Sequence, residues 1–196
     1  MALRSSVVSA RTRNRWKLVG IGILAAAPVV ASYLLYWYWT PDQHTNYGML
    51  LEPHPLAPIE VRTLDERPFD LAGLRGRWIL LATDAGKCGP RCQEKLWKMR
   101  QVRQAQGKEM DRVERVWLID DSEKPDVSIL QALPGLWVAR GSAQAISAAL
   151  PAERSSREHV YLIDPLGNLM LRFPPDADPR QMINDLARLL KYSRSG

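Results

Sequence analysis

The chain has 196 residues, a formal net charge of +6 and two cysteines. That length holds one ordinary domain plus an appendage, and the lone cysteine pair excludes a disulfide-stapled scaffold. The charge is not spread: Arg4, Arg11, Arg13, Arg15 and Lys17 stand in the first 17 residues with no acid, and the other 22 of 27 basic residues face 21 acidic ones. A nucleic-acid footprint needs basic charge clustered on the folded domain, so nucleic acid is excluded as a partner.

Residues 1–17 read as a basic tail. Leu18 to Trp39 carry no charge over 22 residues, which at about 1.5 Å each spans roughly 33 Å, enough to cross a hydrocarbon core. Trp16 stands at one end of the run, and Tyr33, Tyr36, Trp37, Tyr38 and Trp39 crowd the other, as amphipathic rings do at bilayer interfaces. Ala25-Ala26-Ala27 offers small residues for signal cleavage, but a signal's apolar core ends at its cleavage site and this run continues past it. The expectation is a single-pass transmembrane anchor over 18–40. The basic flank places the N-terminus in the cytoplasm and the rest outside it, in a bacterium an inner-membrane protein whose domain lies in the periplasm.

Pro41 to Pro58, with four prolines and with His44 and His54, reads as an extended linker over 41–58 whose histidines are ordinary solvated groups. The domain is expected over 59–192. A short strand opens it at Ile59–Arg62. Trp78–Thr83 is a near-continuous apolar run that suits a strand buried on both faces. A helix is predicted from about Arg91 to Gln106, with Leu96 and Met99 inward and Lys95, Lys98 and Arg100 on a solvated surface. Val113–Ile119 is the next strand, followed by a short piece at Val127–Leu133, a strand at Leu136–Ala139 and a short helix capped by Ser142. His159–Asp164 turns through Pro165-Leu166-Gly167-Asn168 into Leu169–Phe173 as a hairpin. Pro179 starts a last helix to about Lys191. This alternation implies an α/β sheet covered on both faces.

The cysteines lie in Lys87-Cys88-Gly89-Pro90-Arg91-Cys92, separated by three residues, where a strand enters a helix. Open α/β sheets place their sites at that end of their strands. Pro90 fits the first helical turn. The helix N-terminus, Lys87 and Arg91 all favour a thiolate, so Cys88 is expected to be the exposed, more reactive sulfur. Residues four apart on a helix share a face, so Cys92 can meet Cys88. The spacing suits a reversible disulfide or two thiolates on one soft ion such as Cu(I). A purely structural bridge is the plainer alternative, but closing so short a loop removes little chain entropy.

The order Leu74-Arg75-Gly76-Arg77-Trp78, a strand, Cys-x-x-x-Cys at a helix start and Tyr161-Leu162-Ile163-Asp164-Pro165-Leu166-Gly167 resembles the Sco/SenC family across roughly residues 50–192. The resemblance implies a thioredoxin-like fold: a central mixed sheet with helices on both faces, here behind one transmembrane helix. It also implies a role in assembling cytochrome c oxidase, an oxidase subunit as partner and a copper ion held by both cysteines and a histidine. Cys88 and Cys92 carry over as copper ligands and as a redox pair. The family's histidine, five residues before the strand tyrosine, falls at Ser156, and the nearest histidine is His159, three residues on and opposite in strand parity. His159 is therefore the candidate third ligand by proximity alone. The family commonly has a proline straight after one of the two cysteines, where this chain has Gly89 and Gln93. Two rival readings remain. One is a periplasmic thiol–disulfide oxidoreductase without copper, although thioredoxins use a two-residue spacer and a cis-proline that Arg157-Glu158-His159 lacks. The other is a non-catalytic oxidase assembly factor, which the displaced histidine favours.

Overall fold

The computed structural model describes residues 6–38 and 46–193, with side chains at 15–37 and 46–193. Arg4 in the tail, Trp39 at the end of the span, and Pro41 and His44 in the linker lie outside the described residues. The chain divides into two units, 1–44 and 45–196. In the first, helix α1 (Ser6–Tyr38) contains Arg15–Trp37, 23 residues that include an 18-residue window of mean hydropathy 2.2, long and apolar enough to cross a membrane. Pro28 lies inside it.

The second unit begins with β1 (Met49–Pro55), β2 (Val61–Thr63) and β3 (Pro68–Phe69), then β4 (Trp78–Asp84) and α2 (Pro90–Gln104). There follow β5 (Val113–Ile119), α3 (Val127–Ala132), β6 (Leu136–Gly141), α4 (Ala143–Ala149), β7 (Val160–Ile163), β8 (Asn168–Arg172) and α5 (Pro179–Tyr192). The strands form one mixed sheet in the order β1-β8-β7-β4-β5-β6-β2-β3. Strands β4, β5 and β6 run parallel, and the hairpin of β7 and β8 lies antiparallel beside β4.

Alternation along the central strands sorts the core into two layers. Trp78, Leu80 and Ala82 of β4 pack with Leu96, Met99 and Val102 of α2 and with Met182, Leu186 and Leu190 of α5. Ile79 and Leu81 face the other way, onto Ile146 of α4 and Leu150. The helices therefore cover both faces, which is why the central strands read as unbroken apolar runs. Ser142 caps α4 through a bond from Ala145 N, and Asp178 caps α5, with Pro179 in its first turn.

Two expectations need correction. The opening strand lies at Val61–Thr63, paired to β6, instead of at 59–62. More importantly, the second half of the expected linker is a strand. Met49 and Leu50 of β1 pair with Arg172 and Leu171 of β8. All of β1 except Leu51 is exposed, so no alternation marks it in the sequence, and its prolines are the kind an edge strand tolerates. Its entry is tied down by Gly48 N, which donates to the buried Asp185 carboxylate at 2.9 Å.

A Cβ on Gly48 would lie 2.0 Å from Leu171 Cδ2 and 2.8 Å from its Cγ. Because Leu171 is itself packed in the core, Gly48→Ala is expected to cost about 1–3 kcal/mol through overpacking. Urea denaturation, with hydrogen exchange along β1, measures that cost. A neutral result would show that β1 yields freely.

Candidate functional site

Strand β4 ends at Asp84, and the chain must turn within five residues to enter α2. Gly86 makes this possible. A Cβ there would sit 1.8 Å from the Glu123 carbonyl oxygen, and its N–H donates to Asp121 Oδ1 at 2.9 Å. Cys88 N then closes a turn onto Ala85 O at 3.1 Å. Gly89 is the N-cap of α2, Pro90 its first residue, and the Gln93 side chain reaches back to Cys88 O at 2.9 Å. Cys88 takes a positive φ of 31°, a region that costs a non-glycine residue of order 1 kcal/mol or more.

Cys88 and Cys92 are joined by a disulfide with their Cα atoms 5.1 Å apart. The structure thus brings together the two cysteines that the spacing pointed to. It also corrects the expectation that Cys88 is the exposed sulfur: Cys88 is 1% and Cys92 3% exposed, both within the core layer that holds Leu96, Val160 and Met182. The turn tucks Cys88 beneath the helix start. Cys92, one helical turn further on, lines an open cleft of about 780 Å³ together with Asp84, Lys95, Arg157, Val160 and Met182.

His159 is not brought to the sulfurs. It is 5% exposed, its Nδ1 lies 2.8 Å from Phe173 O, and its ring meets Tyr161 edge-on at 6.1 Å. The cause is strand parity. His159 shares Tyr161's side, and Tyr161 packs in the layer of Ile79 and Leu81, whereas Val160 and Leu162 pack in the layer of the cysteines. Ser156, at the position where the resemblance puts a histidine, is buried in the short turn before β7. His54 bonds locally to Glu52 O. Among the described residues no group of three or more His, Cys, Asp or Glu could hold a metal ion.

Lys95 departs from the place its sequence position predicts. Expected on a solvated surface, its side chain is 11% exposed. Its ammonium donates to Thr83 O at 2.9 Å, to Asp84 Oδ2 at 2.8 Å and to Arg157 O. Burial pushes Lys95 below the usual lysine range, against the pull of Asp84. Asp84 is fixed at its other oxygen by Ala85 N, and Arg157 is held by Asp120 through two bonds of 2.6 and 2.7 Å. The signal was available: Lys95 lies three residues after Cys92, on the same side of α2.

His159→Ala is expected to cost about 1–2 kcal/mol for the lost buried bond to Phe173 O, while leaving the chemistry of the cysteine pair unchanged. Denaturation and a thiol-exchange assay read the two effects separately. An altered exchange rate would restore His159 to the site.

Two buried sulfurs at a strand–helix junction of a mixed α/β sheet, opening on a cleft, define a thioredoxin-like dithiol domain. The family profile described as "Transmembrane-like, thioredoxin-like, C-terminal domain" matches residues 78–193, and the chain belongs to that family. No curated protein sequence matches the chain. Among solved structures it is similar to yeast Sco1 with copper bound, at 16% identity and TM-score 0.60 over 73% of this chain and 96% of that one. A thiol:disulfide interchange protein from Bacteroides sp. matches at 14% identity and TM-score 0.53, over 74% and 93% of the two chains. BsSco, in a structure that identified a disulfide switch in this member of the Sco family of cytochrome c oxidase assembly proteins, matches at 14% and 0.52, over 72% and 96%. At these identities the likeness establishes the fold.

Proposed function

We propose that this chain is a membrane-anchored, Sco/SenC-like factor of cytochrome c oxidase assembly that acts by thiol–disulfide exchange through Cys88 and Cys92. The single observation that carries the reading is the closed pair at the start of α2, with Cys92 on the cleft wall. Residues 18–40 are the anchor, 1–17 the cytoplasmic tail, and the domain, starting at β1, faces the periplasm of a bacterial inner membrane. In that compartment the paired cysteines of an oxidase metal site are oxidised unless a dithiol reduces them.

In the exchange, the Cys92 thiolate attacks a client disulfide, one client sulfur leaves as thiolate, and a mixed disulfide forms. Cys88 then attacks Cys92, the mixed disulfide breaks, and the client leaves with both thiols while the pair closes. Two electrons pass to the client. The N-terminus of α2 and Lys87 and Arg91 favour the thiolate.

The donor set decides how copper could be held. The pair supplies two soft sulfurs, which suit Cu(I) when reduced, and no third His, Cys, Asp or Glu stands with them among the described residues. The residues thus fit Cu(I) as a cargo on two thiolates and do not fit a centre of two cysteines and a histidine. A second reading is an oxidoreductase without copper, favoured by the lack of a His, Cys, Asp or Glu beside the two sulfurs among the described residues.

Reduced protein offered Cu(I) and Cu(II), and separately a model disulfide, tests both readings against Cys88→Ser. Cu(I) retained above that background supports the cargo; disulfide reduction without retained copper supports the oxidoreductase. Neither activity in the wild type would sink the proposal.

A further inference from the structure

We propose that Lys95, paired with Asp84, is the positioning residue that sets the reduction potential of the Cys88–Cys92 couple. This rests on the thiol-exchange reading above. A lysine ordinarily extends its ammonium into water. Here it is drawn inward onto Thr83 O, Asp84 Oδ2 and Arg157 O, which together use all three of its donors. The result is a fixed positive charge on the wall of the cleft that Cys92 lines, three residues from Cys92 on α2.

A fixed charge acts unequally on the two states of the pair. The disulfide is neutral, whereas the reduced form with a thiolate is negative, so a cation at this place favours the reduced form alone. Arg91, Arg154, Glu158, Asp176 and the Lys98–Glu94 pair also line this cleft. Asp84 at the end of β4 opposes Lys95 directly, and Asp120 and Arg157 are committed to each other in a two-bond ion pair. Removing Lys95 therefore takes away the cation and also leaves the Asp84 carboxylate unopposed on the wall of the cleft that Cys92 lines. Removing the Asp84 charge leaves the cation unopposed. The two substitutions must shift the couple in opposite directions, which a role in packing would not do.

The test is a redox titration of the full chain in detergent against reduced and oxidised glutathione, with the dithiol fraction counted by alkylation. Lys95→Met is expected to favour the disulfide about tenfold, or about 30 mV for this two-electron couple. Asp84→Asn is expected to favour the dithiol several-fold, the double variant to lie between them, and Lys95→Arg to stay near wild type. A defined wild-type midpoint that neither substitution moves, or that both move in one direction, would overturn this inference and leave thiol exchange standing. A wild-type pair with no midpoint in glutathione would overturn the exchange reading and this one with it.

Discussion

Cys92→Ser is expected to abolish both activities assigned to the pair: disulfide reduction should fall at least about a hundredfold and Cu(I) retention to background, because an alcohol is neither a thiolate nucleophile nor a soft ligand. Cys88→Ser should lose turnover equally, yet the two variants should part in one respect. Cys92 lines the cleft and Cys88 does not. A client sulfur can therefore be captured on Cys92 with no Cys88 to release it, and the Cys88→Ser variant should accumulate a mixed disulfide. Cys92→Ser should accumulate little, because its remaining thiol lies beneath the helix start. Non-reducing gels with a model dithiol substrate, followed by mass spectrometry, read this directly. Capture on Cys88 alone would reverse the assignment of the attacking sulfur. Loss of fold is a poor alternative explanation. Opening a loop of about five residues costs no more than roughly 2 kcal/mol in the chain-entropy account, a minority of an ordinary domain's stability.

Much of this site was legible because chemistry and spacing coincide. Two cysteines four positions apart, with Pro90 between them and an apolar run before them, place a dithiol at a strand–helix junction, and the structure has it there. Parity also warned about His159, and the outcome follows parity. What escaped the sequence reading depends on the third dimension. Strand β1 is nearly all exposed, so neither face leaves a pattern, and only pairing with β8 reveals it. Cys88 stands just outside the helix start, as its spacing implies, but it is buried instead of exposed, because the turn from Ala85 folds it inward. A lysine at the helical position of Lys95 is ordinarily solvated. A carboxylate at the end of β4 and a carbonyl from the turn before β7 hold it instead, and neither is near it in sequence.

The cysteine pair depends on the sheet that backs it, and Trp117 is the largest fully buried side chain there. It lies at the middle of β5, between Ala82 of β4 and Val138 of β6, in the layer that also holds Leu96, Cys88 and Cys92. Truncating it to alanine removes a large aromatic volume under a helix that cannot move inward without breaking its contacts with α5. Trp117→Ala is expected to cost about 3–5 kcal/mol, the lost transfer energy plus the cavity. Trp117→Phe separates volume from polarity. The indole Nε1 is buried without a hydrogen-bond partner among the described residues, so phenylalanine gives up some volume and also removes an unsatisfied donor, whose burial costs about 1–3 kcal/mol. Its net cost should stay below about 1.5 kcal/mol. Urea midpoints of the full chain in detergent give both numbers. If phenylalanine costs as much as alanine, the indole nitrogen has a role that packing does not supply. If alanine costs under 1 kcal/mol on the scale expected for buried aromatics, the layer beneath the dithiol is not the rigid support that the closed pair requires.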